Sequence, residues 1–279
     1  MLKLGIIGLE SSRPCKFFNF LVSRLHKAHI TAVVAREAGA DVQAWIEGGV
    51  VVVDRPTDLL GYVTAVIECS RKGSQHRANV EGLLRQGIHV WVDKPLATSV
   101  EDARALVVAA EDSGAFLMSY SGYRLAPQLP ELAASLAQEP KSRRLVVTGP
   151  ADANSEYDGL FHYGIHHVEI ALELLGRPAL EPGNLAVAVS RFSGGLQADF
   201  SIGGVDVALV FVAPTPGLEV PFSVSLGAGS GERVLTVPTD YNEQMLLQFL
   251  AGCKSAPSRR TAFDMVSPVA VLEDIVGRS

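Results

Sequence analysis

The feature that most constrains this chain is an alternation in its first 120 residues, where short β-branched apolar runs are each followed by a segment with helical spacing. LKLGIIGL precedes a helical stretch over 14–27, ITAVVA one over 41–47, and VVVV the segment RPTDLL. VTAVIECS then precedes a helix over 74–85 stopped by Gly87, IHVWVD precedes a helix over 100–113 stopped by Gly114, and AFLMSY closes the series. Runs that are apolar from end to end are strands buried on both faces, and strands that alternate with helices join through right-handed crossovers. The expected fold is therefore α/β, a Rossmann-type doubly wound parallel sheet. Ser99 with Asp102 in a spacing that resembles a capping box, and Pro14 at a first helical turn, agree with it.

From about Ser121 the rhythm changes. RLAPQLPELAASLAQEPKS holds three prolines around a short helix, then RRLVVTGP reads as a strand and FHYGIHHVEIALELLG as one strong helix. LAVAVSRF, GLQADFSI, VDVALVFVA, LEVPFSVSLG and ERVLTVP follow as strands with glycine-rich turns, closed by helices over 241–251 and 263–276. This pattern predicts an α+β domain on a largely antiparallel sheet. Residues 1–120 are expected to form the dinucleotide-binding domain, and residues 121–279 a domain for substrate binding and oligomerisation. VDVALVFVAP is apolar on both faces, whereas a sheet covered on one side only should alternate, so a homo-oligomer (dimer or tetramer) is expected.

A formal charge of -6 over 279 residues gives no electrostatic case for nucleic acid or an anionic membrane. Cys15, Cys69 and Cys253 lie far apart with no CxxC spacing, which points away from a zinc site or disulfide framework and towards a reducing cytoplasm. No apolar run approaches the ~18 residues of a membrane span, and the first residues lack the pattern of a secretory signal. A cytoplasmic protein acting on a small molecule is the expectation.

Ligands of open parallel sheets sit at the carboxyl ends of the strands, which directs the search to four loops. They are GLESSR, AREAG, ECSRKGSQH and VDKPLA. In the first, Gly8 keeps a tight turn, but Glu10 stands where a second glycine would let the backbone approach a pyrophosphate. Two like charges about 4 Å apart repel by roughly 4 kcal/mol at an effective dielectric near 20, a cost that Arg13 is placed to offset. Ser11 and Ser12 can cap the following helix and offer hydroxyls to a phosphate. In the last loop Lys94 leaves an apolar strand just before Pro95, whose ring biases it to an extended backbone, so that it can donate a hydrogen bond to a substrate oxygen. Further on, His162 and His166 are four apart and share a helical face, with Gly164 between them. No HExxH glutamate accompanies them, so no metal site is assigned.

A strand ending in GxxG (Gly5 to Gly8), then VIECSRKGSQH, GIHVWVDKPLA, YSGYRLAP and GIHHVEIALELLG, in this order and spacing, resemble the Gfo/Idh/MocA family (glucose-fructose oxidoreductase, inositol dehydrogenase, rhizopine catabolism). The resemblance implies an NAD(P)-dependent oxidoreductase transferring a hydride to or from a sugar, polyol or related carbonyl or imine compound. It makes Lys94 the lysine that contacts the reacting oxygen and His166 the general acid/base. His162 falls where the family carries an aspartate, and Asp93 replaces the usual glutamate before the lysine. His76 matches the loop histidine beside the nicotinamide, Ser70 in the same loop joins the cofactor contacts, and Arg124 matches a basic residue at the domain junction, assigned to substrate binding with Lys94, His162 and His166. Where NAD-specific members carry an acidic residue, this chain has Ala35 and Arg36, and an arginine there accepts the 2′-phosphate of NADP. The expected cofactor is NADP or NAD, with NADP favoured. Because Glu10, Arg13 and His162 break the family pattern, two alternatives stand: a cofactor-poor binding or regulatory module, and a redox-neutral lyase or hydrolase that retains NAD.

Overall fold

A computed structural model describes residues 2–11, 14, 16, 17, 20, 21, 28–34, 40–138, 144–217, 219–227, 231–255 and 259–279, with backbone only for 40–42, 44 and 259–263. The strands are β1 (Leu2–Ile7), β2 (Ala28–Val34), β3 (Val51–Val53), β4 (Ala65–Glu68), β5 (His89–Val92) and β6 (Leu117–Met118), then β7 (Arg144–Pro150), β8 (Ala188–Phe192), β9 (Gly195–Ile202), β10 (Val205–Val212), β11 (Ser223–Leu226) and β12 (Arg233–Val234). The helices are α1 (Ala40–Glu47), α2 (His76–Arg85), α3 (Val100–Ser113), α4 (Leu129–Gln138), α5 (Leu160–Leu174), α6 (Tyr241–Gly252) and α7 (Arg259–Val276). The chain divides into two compact units. One comprises Met1–Ala97, Glu101–Ser119 and Asp240–Ala262; the other comprises Thr98–Val100, Tyr120–Thr239 and Phe263–Ser279.

In the first unit β1 to β6 make one sheet in the order β3-β2-β1-β4-β5-β6, parallel at every pairing. Leu4, Ile6, Val66, Val90 and Trp91 are fully buried, as strands covered on both faces require. The order reverses at β1, between β2 and β4, and a ligand crevice belongs at the carboxyl edge of that point. The core of this unit extends to a helix far along the chain. In α6 the Phe249 ring lies 6.1 Å from Trp91 and 6.2 Å from Phe116, and Trp91 also meets Phe17 at 5.0 Å. This corrects the division at 120/121, since Asp240–Ala262 completes the first unit.

The second unit carries a sheet in the order β12-β11-β7-β10-β9-β8. It is antiparallel except where β10 runs parallel to β7, in line with the expected α+β domain. LEVPFSVSLG shortens to β11 because Pro221, with no N–H to donate, precedes it. On β10, Val207, Leu209 and Phe211 are buried beneath the helices, while Asp206 on the other face is exposed and Val210 and Val212 are half-buried. Helix α5 packs on β7 and β10, and Gly164 makes the approach close, since an added Cβ would stand 3.1 Å from Phe211 and 3.5 Å from Leu272. Among the described residues no helix is long and apolar enough to cross a membrane.

Truncating the ring that joins α6 to the first sheet tests this core. Phe249→Ala should lower the unfolding free energy by about 3–5 kcal/mol, as for other buried aromatic deletions, read from the urea midpoint. A loss below about 1 kcal/mol would remove α6 from the core.

Candidate active site

Three loops converge at the reversal point of the first sheet. Gly8, just after β1, has φ of 83°, and an added Cβ would stand 2.5 Å from the Cys69 carbonyl carbon and 2.6 Å from Ser70 Cα. Only a residue without a side chain lets the turn after β1 rest on the backbone after β4. Around this contact lies a cavity of about 250 Å³, lined by Gly8 and Glu10, by Val34 at the end of β2, and by Pro56, Ser70, Gln75 and Asn79. Among the described residues its polar groups are hydroxyl and amide, with Glu10 as the one charged member of the lining.

The Glu10 carboxylate accepts the backbone N–H of Arg71 at 3.2 Å. The side chain expected to face a pyrophosphate thus ties the loop after β1 to the loop after β4. Ser70 is buried; its N–H donates to Glu68 Oε1 at 2.6 Å, and Asn79 Nδ2 stands 3.5 Å from its Oγ. His76 is fully buried with both ring nitrogens against backbone carbonyls, Nδ1 at 2.9 Å from Pro95 O and Nε2 at 3.1 Å from Ser70 O. It braces two site loops against each other. Lys94 is half-buried beyond β5, its N–H donating to Asp93 Oδ1 at 2.8 Å, and the Lys94–Pro95 bond is cis. The turn that a Cβ would block, together with hydroxyl and amide donors along the crevice, fits a dinucleotide held by Gly8, Ser70, Gln75 and Asn79. Ser12, Arg13 and Arg36 lie outside the described residues, and Ser11 closes the turn through its N–H to Gly8 O at 3.2 Å.

In the second unit α5 carries His162 and His166 one turn apart. His166 is buried, and its Nδ1 lies 2.6 Å from Ser121 Oγ, which also accepts the Tyr123 N–H at 3.1 Å. The rings of Tyr123, Tyr163 and Phe222 surround it at 5.3, 5.6 and 5.5 Å between centroids. His162 is half-buried between Tyr157 and Tyr163, each at 5.0 Å. The next histidine behaves differently. His167 is buried among Phe211 and Phe222, its Nε2 donates to Val210 O at 3.1 Å, its Nδ1 has no partner among the described residues, and burial pushes its pKa down to about 4. It is neutral at physiological pH and part of the core.

The Arg124 guanidinium meets Glu173 at 3.0 Å and Glu169 at 3.4 Å and lies 5.0 Å over the Tyr120 ring, with its side chain only 10% exposed. Held this way it is an ion-pair partner of α5. Glu173 also pairs with Arg177 at 2.7 Å, and Arg177 with Asp264 at 3.3 Å. Three carboxylates thus share two guanidinium groups, and Glu169, the most buried of the three, is pushed up to about 7 by desolvation despite Arg124.

Two residues of these surroundings escaped sequence reasoning. Ser121 sits in the quoted YSGYR stretch, yet its partner lies 45 residues away, and no local spacing marks such a pair. Glu68 ends an apolar strand and reads as the start of a loop; it is fully buried, and its Oε2 has no partner among the described residues.

Comparison with known proteins gives the site a setting. Residues 2–121 match the family described as an oxidoreductase family with an NAD-binding Rossmann fold, GFO_IDH_MocA. Protein YceM of Salmonella typhimurium is 37% identical over 145 residues, 50% of this chain and 45% of its own length. D-apiose dehydrogenase of Paraburkholderia graminis is 27% identical over 164 residues, 54% of this chain and 41% of its own. The chain thus matches less than half the length of these curated relatives. GenD2 from gentamicin A biosynthesis, solved with NAD, has a TM-score of 0.77 at 18% identity, covering 98% of this chain and 92% of that one. KijD10, a 3-ketoreductase from Actinomadura kijaniata solved with NADP, has 0.73 at 18% identity over 98% and 96% of the two chains. At such identities these structures establish the shared fold.

The two buried titratable groups on α5 act on stability in opposite senses. His167 binds a proton less readily folded (about 4) than unfolded (6.5), so its contribution falls as pH drops from 6.5 to 4. Glu169 binds one more readily folded (about 7) than unfolded (4.5), so its contribution rises as pH drops from 7 to 4.5. In the wild type the two contributions oppose each other on acidification. Urea midpoints taken from pH 7.5 to 4.5 should show Glu169→Gln losing stability on acidification relative to wild type, and His167→Phe gaining it. Parallel profiles for all three proteins would contradict this.

Proposed function

From a chain whose residues 2–121 belong to the Gfo/Idh/MocA oxidoreductase family with its NAD-binding Rossmann fold, we propose an NAD(P)-dependent oxidoreductase acting on a small polar substrate: a sugar, a polyol, or a related carbonyl or imine compound. The observation that carries this reading is the crevice at Gly8, where the backbone after β4 takes the space of a side chain and hydroxyl and amide groups line the cavity. One relative named a dehydrogenase, one named an oxidoreductase and fold neighbours solved with NAD or NADP support it.

When bound, the nicotinamide supplies or accepts the hydride. Gly8, Ser70, Gln75 and Asn79 hold the dinucleotide, with Ser11, Ser12 and Arg13 at its phosphates and Arg36 pairing with the 2′-phosphate that makes NADP the favoured form. In this reading Lys94 donates a hydrogen bond to a reacting oxygen of the substrate, and His166 is the group that moves the proton. His162 borders His166 on α5 with a ring that is neutral or cationic where a carboxylate would bring negative charge, a change that selects the substrate. The bond between Glu10 and Arg71 favours one second reading, a cofactor-poor binding module, because a pyrophosphate entering there meets a carboxylate already fixed at the cavity wall.

Calorimetric titration separates these readings. NADPH should bind more tightly than NADH, Arg36→Ala should erase the difference, and Glu10→Gly should strengthen binding of both. Equal affinities unchanged by Arg36→Ala would remove the NADP preference, and no binding even in Glu10→Gly would leave the binding module. In an NADPH-oxidation screen over keto-sugars, Lys94→Ala and His166→Ala should each lower turnover by roughly 10²-fold with cofactor affinity nearly intact. Full activity in either variant would move the chemistry elsewhere.

We propose as well that the chain forms a homo-oligomer, a dimer or tetramer, through the outer β10 face, because the apolar Val210 and Val212 are only half-buried there, with Asp206 exposed at the start of the same face. Sedimentation should show an assembly larger than one chain at micromolar concentration, and a monomer would refute it.

A further inference from the structure

The geometry points to Ser121 as the residue that positions His166: its hydroxyl donates to Nδ1 and holds the neutral ring in the tautomer that carries its proton on Nε2. The argument runs through the hydrogen atoms that a buried hydroxyl must place. Ser121 is fully buried, its Oγ accepts the Tyr123 N–H at 3.1 Å, and its one other Oγ partner among the described residues is His166 Nδ1 at 2.6 Å. If Nδ1 carried the proton, it would donate to Oγ, and the fully buried hydroxyl would have no acceptor for its own hydrogen among the described residues. If Nδ1 carries a lone pair, the hydroxyl hydrogen fills it, and every polar group of Ser121 is satisfied. A short contact with both needs met is the arrangement a buried network adopts.

Ser121 is itself held in place from two sides. Its backbone meets the Glu169 carboxylate, one turn beyond His166 on α5, and its carbonyl accepts the Arg124 N–H at 3.1 Å. The ring has little freedom to answer by turning away, because Tyr123, Tyr163 and Phe222 pack around it within 5.6 Å. The segment Gly122–Leu125, a 3₁₀ turn that Ser121 caps through its side chain, therefore sets both the angle of the imidazole and the nitrogen that bears its hydrogen.

The catalytic meaning rests on the reading of His166 given above. A neutral ring with its hydrogen on Nε2 is a donor to a substrate oxygen, suited to polarising a carbonyl. To accept a proton from an alcohol at Nε2, the ring must first move its hydrogen to Nδ1 and force the Ser121 hydroxyl to release it. Ser121 thus biases the resting protein towards the carbonyl-polarising state.

The test uses the full chain labelled with ¹⁵N in its histidine rings, without cofactor or substrate, so that it can fail independently of the oxidoreductase reading. Long-range ¹⁵N–¹H correlation at neutral pH shows which ring nitrogen is protonated, and the signals lost in His166→Gln identify the ring. Wild type should show Nε2 protonated and Nδ1 bare. Ser121→Ala should reduce that preference about tenfold, the equivalent of one lost buried hydrogen bond, and Ser121→Thr, which keeps the hydroxyl, should restore it. A wild-type ring protonated on Nδ1, alone or together with Nε2, overturns the inference, as does an unchanged pattern in Ser121→Ala. Should Ser121→Ala fail to fold, the wild-type spectrum alone still decides.

Discussion

The first unit depends on a contact that has no side chain in it. Gly8 lies against the backbone of Cys69 and Ser70 at a distance no Cβ could share, and the carboxyl ends of β1 and β4 meet there. Every other feature of that edge is arranged around this approach. Glu10 reaches across to Arg71, Glu68 turns its carboxylate onto the Ser70 N–H, and His76 ties Ser70 to Pro95. These bonds cost little to form because the two loops are already adjacent; moved apart by one methyl group, each would face water or an unpaired partner.

The second unit is organised by a helix that buries more polar chemistry than an ordinary core helix does. Along α5, His166, His167 and Glu169 are all buried, and each takes a partner from a different element: the Ser121 hydroxyl, the Val210 carbonyl and the Arg124 guanidinium. Such groups are costly to bury, so their partners fix how α5 sits on its sheet and which residues can follow Tyr120. Arg124 shows how a residue that looks unpaired in a sequence has partners in the fold.

Local features were legible. Strands apolar from end to end announced the parallel sheet, and the helix over 100–113 coincides with α3 because Val100 and Gly114 bracket a clean period. Lys94 before Pro95 and the four-residue step from His162 to His166 marked their loop and helix without help from topology. What could not be read were pairings across distance. Glu10 with Arg71 spans 61 residues, Ser121 with His166 spans 45, and Arg124 with Glu173 spans 49. Periodicity reports which face of an element is apolar and is silent about which element will cover it. The same silence hid the allegiance of α6, whose amphipathic pattern says only that it packs somewhere, and it left Glu68 looking like the first residue of a loop.

That allegiance bears on how the chain assembles as it is made. Trp91 emerges from the ribosome well before Phe249, and the ring that finishes its surroundings arrives some 150 residues later, after the whole second sheet has appeared. Until then Trp91 lacks its Phe249 contact, and incompletely packed apolar surface is the condition in which partly made chains meet chaperones or one another. The unit that begins synthesis first is therefore among the last parts to close, and its long-range contacts place its completion late in folding.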